Sequence, residues 1–559
     1  MDDKILDWVV LAEKFSADGD PLSMRTVARE IFELDKNSAD GFAIMAEAAL
    51  YQGNIDAAES FANFALNVKP NHLRGRLVTG GLAMKQLRLK DQLKIFDDLI
   101  SDARNDLENL TDRREIFIVR AILFKALSWS SNGLYLAGEP ARASKNLLEA
   151  STLTDNIELA AELYSKHLFL RNYRDVSPAQ TLELAKNFNE FFANVTPIPH
   201  KSRPRGDKIH IGYISPDFRE HALVNFIVPL IRDFDAENFS VTCYMTGRKD
   251  FVTERLKKFN VTWRTLTGKN SLTAAQIIAD DGVDILVDLS GHSQGSCLPI
   301  LAHKPAPVQI SALGYTATTG LNAVDYFLSD KICSTNADAF TEKILRLDTC
   351  CFCYAPIRDM PATAPAPVLK NNFVTFASFN NFAKVSDDVL YVWRAILDGV
   401  PRSRLILKGK IFSLDDGKAI VRERFKRLSF PIERVEFRPY SPDYLEDYRD
   451  VDIALDTFPY TGGTTTCEAL YMGVPVITLR GKTHGSRLGA SILTAADVAE
   501  LVTSTPMNYV KKAIQLGKRK DLIVAYHEQL RGHVTNSALM DGQLYLRGLE
   551  NFYREVFIQ

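Results

Sequence analysis

The sequence predicts a multi-domain chain, an all-α repeat region followed by two Rossmann-like α/β domains facing a cleft. Three observations carry that reading. Small residues recur at a spacing of about 34 residues through the first third. A break rich in Pro and basic residues follows, at Thr196–Gly206. Beyond it, short apolar strands alternate with helical stretches twice over, with a second Pro-rich bridge, Ala355–Pro367, between the two runs. At 559 residues the chain is too long for one hydrophobic core and implies about three or four domains.

In the repeat region, Ala12 is matched by Ala46 and Gly80, Ala28 by Ala62 and Phe96, and Ile31 by Ala65 and Leu99. Ala46, Gly53, Ala58, Ala65 and Pro70 fall where a tetratricopeptide repeat places small residues, a turn and a stop. Small side chains let paired helices approach, and proline ends the second helix. Gly138, Ala143, Leu147 and Ala150 suggest a further unit. The region, taken as residues 1–195, resembles a short, degenerate tetratricopeptide array. In the first α/β run (207–355), Ile209–Ile214, Val241–Met245 and Asp284–Leu289 read as strands. In the second (368–559), strands are expected at Phe373–Ser378, Arg404–Leu407, Val435–Arg438, Asp452–Asp456 and Val474–Leu479. Helices are expected around Asp387–Leu397 and from Thr464. Such alternation argues for parallel sheets, whose ligands bind beyond the C-terminal ends of the strands.

Composition narrows the function classes. Lys+Arg number 67 against 69 Asp+Glu, a formal net charge of -2, which argues against a nucleic-acid partner. The start, Met1-Asp2-Asp3-Lys4, is acidic and runs into an amphipathic helix, no stretch approaches the roughly 20 apolar residues of a membrane span, and seven Cys make a sparse set. The expectation is a cytoplasmic chain without a membrane partner. Cys350-Cys351-Phe352-Cys353 is read as a buried strand, because no second CxxC or His pair completes a tetrahedral metal site.

The most informative stretch runs from Asp452 to Pro475. A strand ends, Gly462-Gly463 lets the backbone turn, and Thr464-Thr465-Thr466 opens a helix. The free N–H groups of that helix start, its positive dipole end and the Thr hydroxyls suit a diphosphate. Glu468, one turn inside, is placed to accept hydrogen bonds from ribose hydroxyls. A glycine turn with Thr capping and no ligand is the alternative reading of the same residues.

The run Leu455-Asp456-Thr457-Phe458-Pro459-Tyr460…Gly462-Gly463-Thr464-Thr465-Thr466-Cys467-Glu468-Ala469-Leu470…Met472-Gly473-Val474-Pro475 resembles the signature of the O-linked N-acetylglucosamine transferase and SPINDLY family, glycosyltransferase family 41. Other stretches match in order. Ile211–His221 is similar to the family's first strand and its histidine. Lys304–Gln309 with Leu313-Gly314-Tyr315 is similar to "RPAPIQ…LGYPGT", Phe379–Lys384 to "FNQLYK", and Ser486–Ser491 to "SRVAAS". The resemblance covers about residues 207–500.

It implies a GT-B fold and transfer of a sugar from a UDP-sugar to Ser or Thr of an acceptor protein, inverting and without a metal or other cofactor. The acceptor would be engaged through the tetratricopeptide-like region. Lys384 would neutralise the departing diphosphate, since charge stabilisation dominates such chemistry. His221 would act as proton acceptor or orient the acceptor. Asn381, Tyr444, Tyr460, Gly462, Gly463, Thr464, Thr465 and Glu468 would bind the sugar nucleotide. Gly314, His292 and His484 are candidates for the cleft wall, with a structural role as the alternative for the two histidines. Asp450-Val451-Asp452 mimics a metal-binding DxD but spans a helix end and a strand start.

Three positions depart from the N-acetylglucosamine branch. Gly463 replaces a histidine, Tyr460 a small cysteine near the sugar's N-acetyl group, and Tyr444 a base-stacking histidine. The donor therefore stays open between N-acetylglucosamine or another hexose and GDP-fucose, since SPINDLY-type O-fucosyltransferases share the Phe-Pro-Tyr form. Asn glucosylation and an inactive helical-repeat scaffold are the remaining alternatives. The family's peptide-holding asparagine ladder is not visible in this short array.

Overall fold

The computed structural model describes residues 3–200, 208–334 and 337–558. Most of the expected linker, residues 201–206, lies outside them. The chain divides into two compact units, Met1–His167 with Ser413–Glu423, and Leu168–Phe412 with Arg424–Gln559. The helical unit thus closes before residue 195, and the division falls inside the helix Ile157–Arg171.

The helical unit is built from consecutive antiparallel pairs: α1 (Asp3–Ala17) with α2 (Pro21–Leu34), α3 (Ala39–Tyr51) with α4 (Ile55–Val68), α5 (Leu73–Lys85) with α6 (Leu89–Asn109), and α7 (Arg113–Leu136) with α8 (Pro140–Ser151). The 34-residue spacing is a turn geometry. Gly19, Gly53 and Leu87, each 34 residues beyond the last, hold the left-handed conformation (φ 67, 74 and 58°) that reverses the chain. The next residue starts the second helix of each pair, and Asp20 and Asn54 cap theirs by accepting from Ser23 N and Ala57 N. Within the third pair, a Cβ on Gly80 would stand 2.6 Å from the Phe96 ring, so only glycine admits this approach of α5 to α6.

A charge network that the apolar spacing does not reveal lies inside this unit. Glu13 of α1 and Glu47 of α3, again 34 residues apart, are buried with Arg74 and Lys125. Lys125 Nζ donates to Glu13 Oε2 (2.9 Å), Glu47 Oε1 (2.7 Å) and Ser16 Oγ (2.7 Å), while Arg74 pairs with Glu13 and lies 3.6 Å from Glu47. Two carboxylates facing two cations leave no net charge in the interior. Burial raises the Glu47 carboxyl, but Lys125 and Arg74 outweigh it and hold the group well below the ordinary carboxylate range.

The second unit contains two parallel sheets. The first comprises β1 (Ile209–Ser215), β2 (Phe239–Met245), β3 (Thr262–Thr265), β4 (Ile285–Asp288), β5 (Val308–Ser311), β6 (Tyr326–Asp330) and β7 (Lys343–Leu347), in the order β3-β2-β1-β4-β5-β6-β7. The second comprises β8 (Thr375–Ser378), β9 (Arg404–Gly409), β10 (Val435–Pro439), β11 (Ile453–Leu455), β12 (Val476–Leu479) and β13 (Val502–Thr503), in the order β10-β9-β8-β11-β12-β13. Both sheets reverse their strand order beside their first strand, between β1 and β4 and between β8 and β11. Such switch points are where open α/β sheets bind ligands. The two Rossmann-like halves of the expected GT-B fold are therefore present.

Three expectations need correction. β3, β5, β6, β7 and β13 were not anticipated. β3 and β7 are edge strands with exposed faces, β5 carries the buried Gln309, β6 has only three apolar residues before Ser329 and Asp330, and β13 spans two residues, so none shows a long apolar run. Cys350–Cys353 is buried but irregular and forms no strand. The boundary 368–559 also breaks, because the final helix, Gly542–Ile558, returns to the first sheet. Its Tyr553 meets Phe239 edge-on at 6.3 Å and its hydroxyl lies 3.2 Å from that of Tyr213. Buried aromatic contacts with a distant segment override the sequence order of the halves. Among the described residues, no helix is long and apolar enough to cross a membrane.

Lys125→Met should destabilise the helical unit by about 3–5 kcal/mol, because it leaves two buried carboxylates with one cation. Urea unfolding monitored by helical circular dichroism measures this. The depressed Glu47 pKa sets the sign with pH. Its stabilisation is complete above the ordinary carboxylate range and is lost as the pH falls toward the folded-state value. Lys125→Met should flatten that acid limb.

Candidate active site

The loops that follow β8 and β11 leave the switch point of the second sheet, and Asp456, the residue after β11, organises both. Its buried carboxylate accepts from Gly462 N (2.7 Å), Thr457 N (2.9 Å), Thr478 Oγ1 (2.7 Å) and Asn380 Nδ2 (3.2 Å). Burial raises its pKa to about 6 against these donors and Lys384. The loop is pulled so tightly that a Cβ on Gly462 would meet Thr466 Oγ1 at 2.6 Å and Thr465 Oγ1 at 2.7 Å. Gly463 then takes the N-cap position of the helix Thr464–Tyr471, with no side chain satisfying the first N–H groups. That is a helix start left open to an anion. Thr465 Oγ1 donates to Asn380 Oδ1 (3.0 Å), and Thr464 Oγ1 reaches Ala222 O (3.2 Å) in the first half.

Lys384 ends the loop after β8. Asn381 shapes it by accepting from Ala383 N (3.1 Å). Lys384 Nζ donates to Thr461 O (2.9 Å), one residue before Gly462, and stands 4.2 Å from the centre of the Tyr460 ring. Desolvation lowers its pKa to about 8, with Asp456 acting in the opposite sense. Tyr460 is held by edge-on contacts with Tyr173 (5.2 Å) and Phe169 (6.5 Å).

A cleft of about 390 Å³ opens between the halves and is lined by His221, Arg358, Lys410, Tyr440, Tyr444, Thr464, Thr465 and Glu468, among others. The Tyr444 hydroxyl donates to Glu468, the Arg358 guanidinium lies 5.7 Å from the Tyr444 ring, and Tyr440 stacks at 6.4 Å and 27°. Burial raises Glu468 to about 7, opposed by Tyr444 and Arg358. His221 sits at the lip with 42% of its side chain open, its Nδ1 3.4 Å from Asp217 Oδ2. Crowding by the protein lowers its pKa while Asp217 pulls it back up.

The remaining candidates fall elsewhere. Among the described residues that line this cleft, Gly314, His292 and His484 do not appear, nor do Lys384, Asn381, Tyr460, Gly462 and Gly463. Lys384, Asn381, Tyr460 and the glycines belong to the adjoining loops just described. Gly314 is a packing glycine, since a Cβ there would meet Leu289 O at 2.1 Å. His292 is wholly buried, with Nε2 on Thr319 O (2.8 Å) and its ring between Phe188 and Tyr315. His484 is buried edge-on against Phe327 (5.1 Å). Packing keeps both out of the wet cleft, and that burial lowers each imidazole to about 4. Asp450 pairs with Arg438 (2.8 Å), and the Asp452 carboxylate accepts from Val368 N and Thr375 N. The DxD mimic is thus spent on the fold.

Sequence reasoning passed over Asp456 and Arg358. For Asp456 a signal existed, an acid at the end of a strand just before a glycine turn. For Arg358, inside the Pro-rich bridge, none did.

Asp456→Ala should strip the acceptor from four buried donors and cost about 3 kcal/mol or more, at roughly 1–3 kcal/mol per unsatisfied group. Asp456→Asn should lose less, since one oxygen remains to accept. Denaturant unfolding of both variants measures the difference.

Comparison with known proteins identifies the family. The profile of glycosyl transferase family 41 matches residues 192–361 and 355–549. The chain is 38% identical over 361 residues to the probable UDP-N-acetylglucosamine–peptide N-acetylglucosaminyltransferase SPINDLY of Solanum lycopersicum, covering 62% of this chain and 38% of that protein. It is 26% identical over 396 residues to the probable peptide N-acetylglucosaminyltransferase SEC of Arabidopsis thaliana, covering 65% and 38%. The matched part thus spans well under half the length of these curated relatives. A solved structure of a lysine-to-methionine mutant of the Thermobaculum terrenum O-GlcNAc transferase superposes with a TM-score of 0.72 at 26% identity, covering 100% of this chain and 98% of that one. With the family profile spanning both sheets and the intervening bridge, this chain belongs to glycosyltransferase family 41.

Proposed function

We propose that the protein transfers a sugar, N-acetylglucosamine or another hexose, from a UDP-sugar to Ser or Thr of an acceptor protein, with inversion and without a catalytic metal. The observation that carries this reading is the Lys384 ammonium held on Thr461 O beside the open helix start at Thr464. A leaving diphosphate seated on those N–H groups meets a positive charge that is already desolvated and needs no reorganisation. The acceptor oxygen attacks the anomeric carbon, the bond to the β-phosphate breaks, and the electron pair leaves with UDP. Arriving negative charge raises the lowered pKa of Lys384, so the ammonium form is secured when the donor binds. Tyr444, stacked on Tyr440, offers a face to the base, and Glu468 offers acceptors to the ribose. His221, at the lip, serves the acceptor hydroxyl by taking or orienting its proton. The helical unit is assigned to acceptor recognition.

Lys384→Ala should lower kcat by about 100-fold or more, while UDP still raises the melting temperature. Labelled UDP-sugars with candidate acceptors test this, and undiminished transfer would remove the role given to the lysine. Added Mg²⁺ or Mn²⁺ should leave the wild-type rate unchanged.

A second reading, O-fucosyl transfer from GDP-fucose, is favoured by Tyr460. Its ring, fixed by Phe169 and Tyr173, stands beside Lys384 at a position that the family resemblance puts near the sugar's N-acetyl group and that a small residue holds in the N-acetylglucosamine branch. Stabilisation by GDP-fucose and not by UDP-sugars in a thermal-shift screen selects it.

A further inference from the structure

We propose that Cys333, Cys351 and His484 form a zinc site that clips the two Rossmann-like halves together. Their ligand atoms, two Sγ and one imidazole nitrogen, all lie within 4.8 Å of one another. Around a tetrahedral zinc, ligand atoms at roughly 2.0–2.3 Å from the ion sit about 3.5–3.8 Å apart. A closure of about 1 Å or less would complete the geometry. The three residues are 0, 3 and 6% exposed. They come from three separate segments: the turn after β6, the irregular stretch after β7 and the loop after β12. Cys333 and Cys351 belong to the first half and His484 to the second.

His484 supplies the independent observation. Neither of its ring nitrogens meets a hydrogen-bond partner among the described residues, although the side chain is buried. A buried imidazole left so is costly, and a metal ion would satisfy the lone-pair nitrogen directly, leaving only the other N–H to be met. The thiols are also positioned from behind. Asp330, the last residue of β6, accepts from Cys333 N (2.7 Å) through Oδ1 and from Cys351 N (2.9 Å) through Oδ2. Ser491 Oγ also donates to Oδ2 (2.7 Å). One carboxylate therefore holds both cysteine backbones in register. Outer-shell groups of this kind orient metal ligands.

The donor set selects the ion. Two soft sulfurs and one imidazole favour zinc over magnesium or calcium, which prefer oxygen. Binding would convert both thiols to thiolates and release two protons to solvent, so Zn²⁺ and two thiolates leave a neutral site suited to an apolar interior. A cavity of about 30 Å³, lined by Cys333, His484, Thr316 and Thr318, has room for about one water as the fourth ligand. The site bears on the neighbouring loops as well. Gly485, next to His484, accepts through its carbonyl from Thr461 N (3.3 Å) and Thr461 Oγ1 (3.0 Å), and Thr461 O in turn holds Lys384. An ion at His484 would steady that chain of contacts without touching the transferred sugar.

The test uses the full chain with no sugar nucleotide, so its outcome is separate from that of the transfer reading. Elemental analysis of the purified protein should find about one zinc per chain, or the metal-free chain should take up one equivalent of Zn²⁺ with release of two protons. Co²⁺ should give the thiolate-to-cobalt charge-transfer band of a tetrahedral site, and Zn²⁺ should bleach it. His484→Ala should bind at least tenfold more weakly, Cys333→Ser and Cys351→Ser should lose the band, and Cys243→Ala, in β2, should keep it. The wild-type cobalt spectrum needs no substitution and decides the matter if a variant fails to fold. Absence of both zinc uptake and the cobalt band would overturn the proposal. So would a Cys333–Cys351 disulfide found by peptide mass mapping of the unreduced protein.

Discussion

Most of what gives the second sheet its working face runs through the Asp456 carboxylate. Four donors from three segments converge on it: the backbone of Thr457 and Gly462 in its own loop, a hydroxyl from β12 and the amide of Asn380 after β8. The buried acid is costly to ionise, and its donors repay part of that cost. The bond to Gly462 N is what bends the chain so that the helix at Thr464 starts with its N–H groups free, and the same negative charge favours the Lys384 ammonium nearby. One group thus shapes the anion seat and keeps its counter-charge within reach.

The first sheet uses the same device. Asp288 closes β4, which stands in that sheet where β11 stands in the second, and its carboxylate accepts from Ser290 N (3.0 Å) and Gly291 N (2.7 Å). Asp330 does likewise at the end of β6 for the two cysteines. A strand that ends in a buried acid can fold the following loop back onto its own tip, because successive N–H groups there lack ladder partners. Two of these ends hold the loop before the open helix start and the two cysteines of the proposed metal site.

In the helical unit the organising constraint differs. The left-handed turn residues and the small packing residues follow a 34-residue period, and so do Glu13 and Glu47. The repeat therefore places a carboxylate at equivalent points of successive hairpins, where the interior is driest. Arg74 and Lys125, which have no such period, balance them. Removing one partner from such a set is far costlier than the intact set is stabilising.

Amino-acid order alone determined the local features. The hairpin turns, the central strands β1, β8, β9 and β11 and the glycine–threonine helix start are written in short-range patterns of apolar, small and turn-forming residues. Thr464, Thr465 and Glu468 could be named for the same reason, whereas Lys384 could be named only because its motif resembles the family's. Contacts between distant segments were decided only by the tertiary structure. The return of the final helix to Phe239, the pairing of Tyr444 with Glu468, Arg358 at the cleft and the meeting of Cys333, Cys351 and His484 join residues far apart in the chain. His292, just after a strand end, and His484, in the loop before Ser486-Arg487, are open to a cleft or a structural role by sequence, and packing against Phe188, Tyr315 and Phe327 buries them. Burial is a property of the surroundings rather than of the residue. A local pattern can state where a loop begins, but which neighbours exclude water from it is settled when the sheets and helices close over one another.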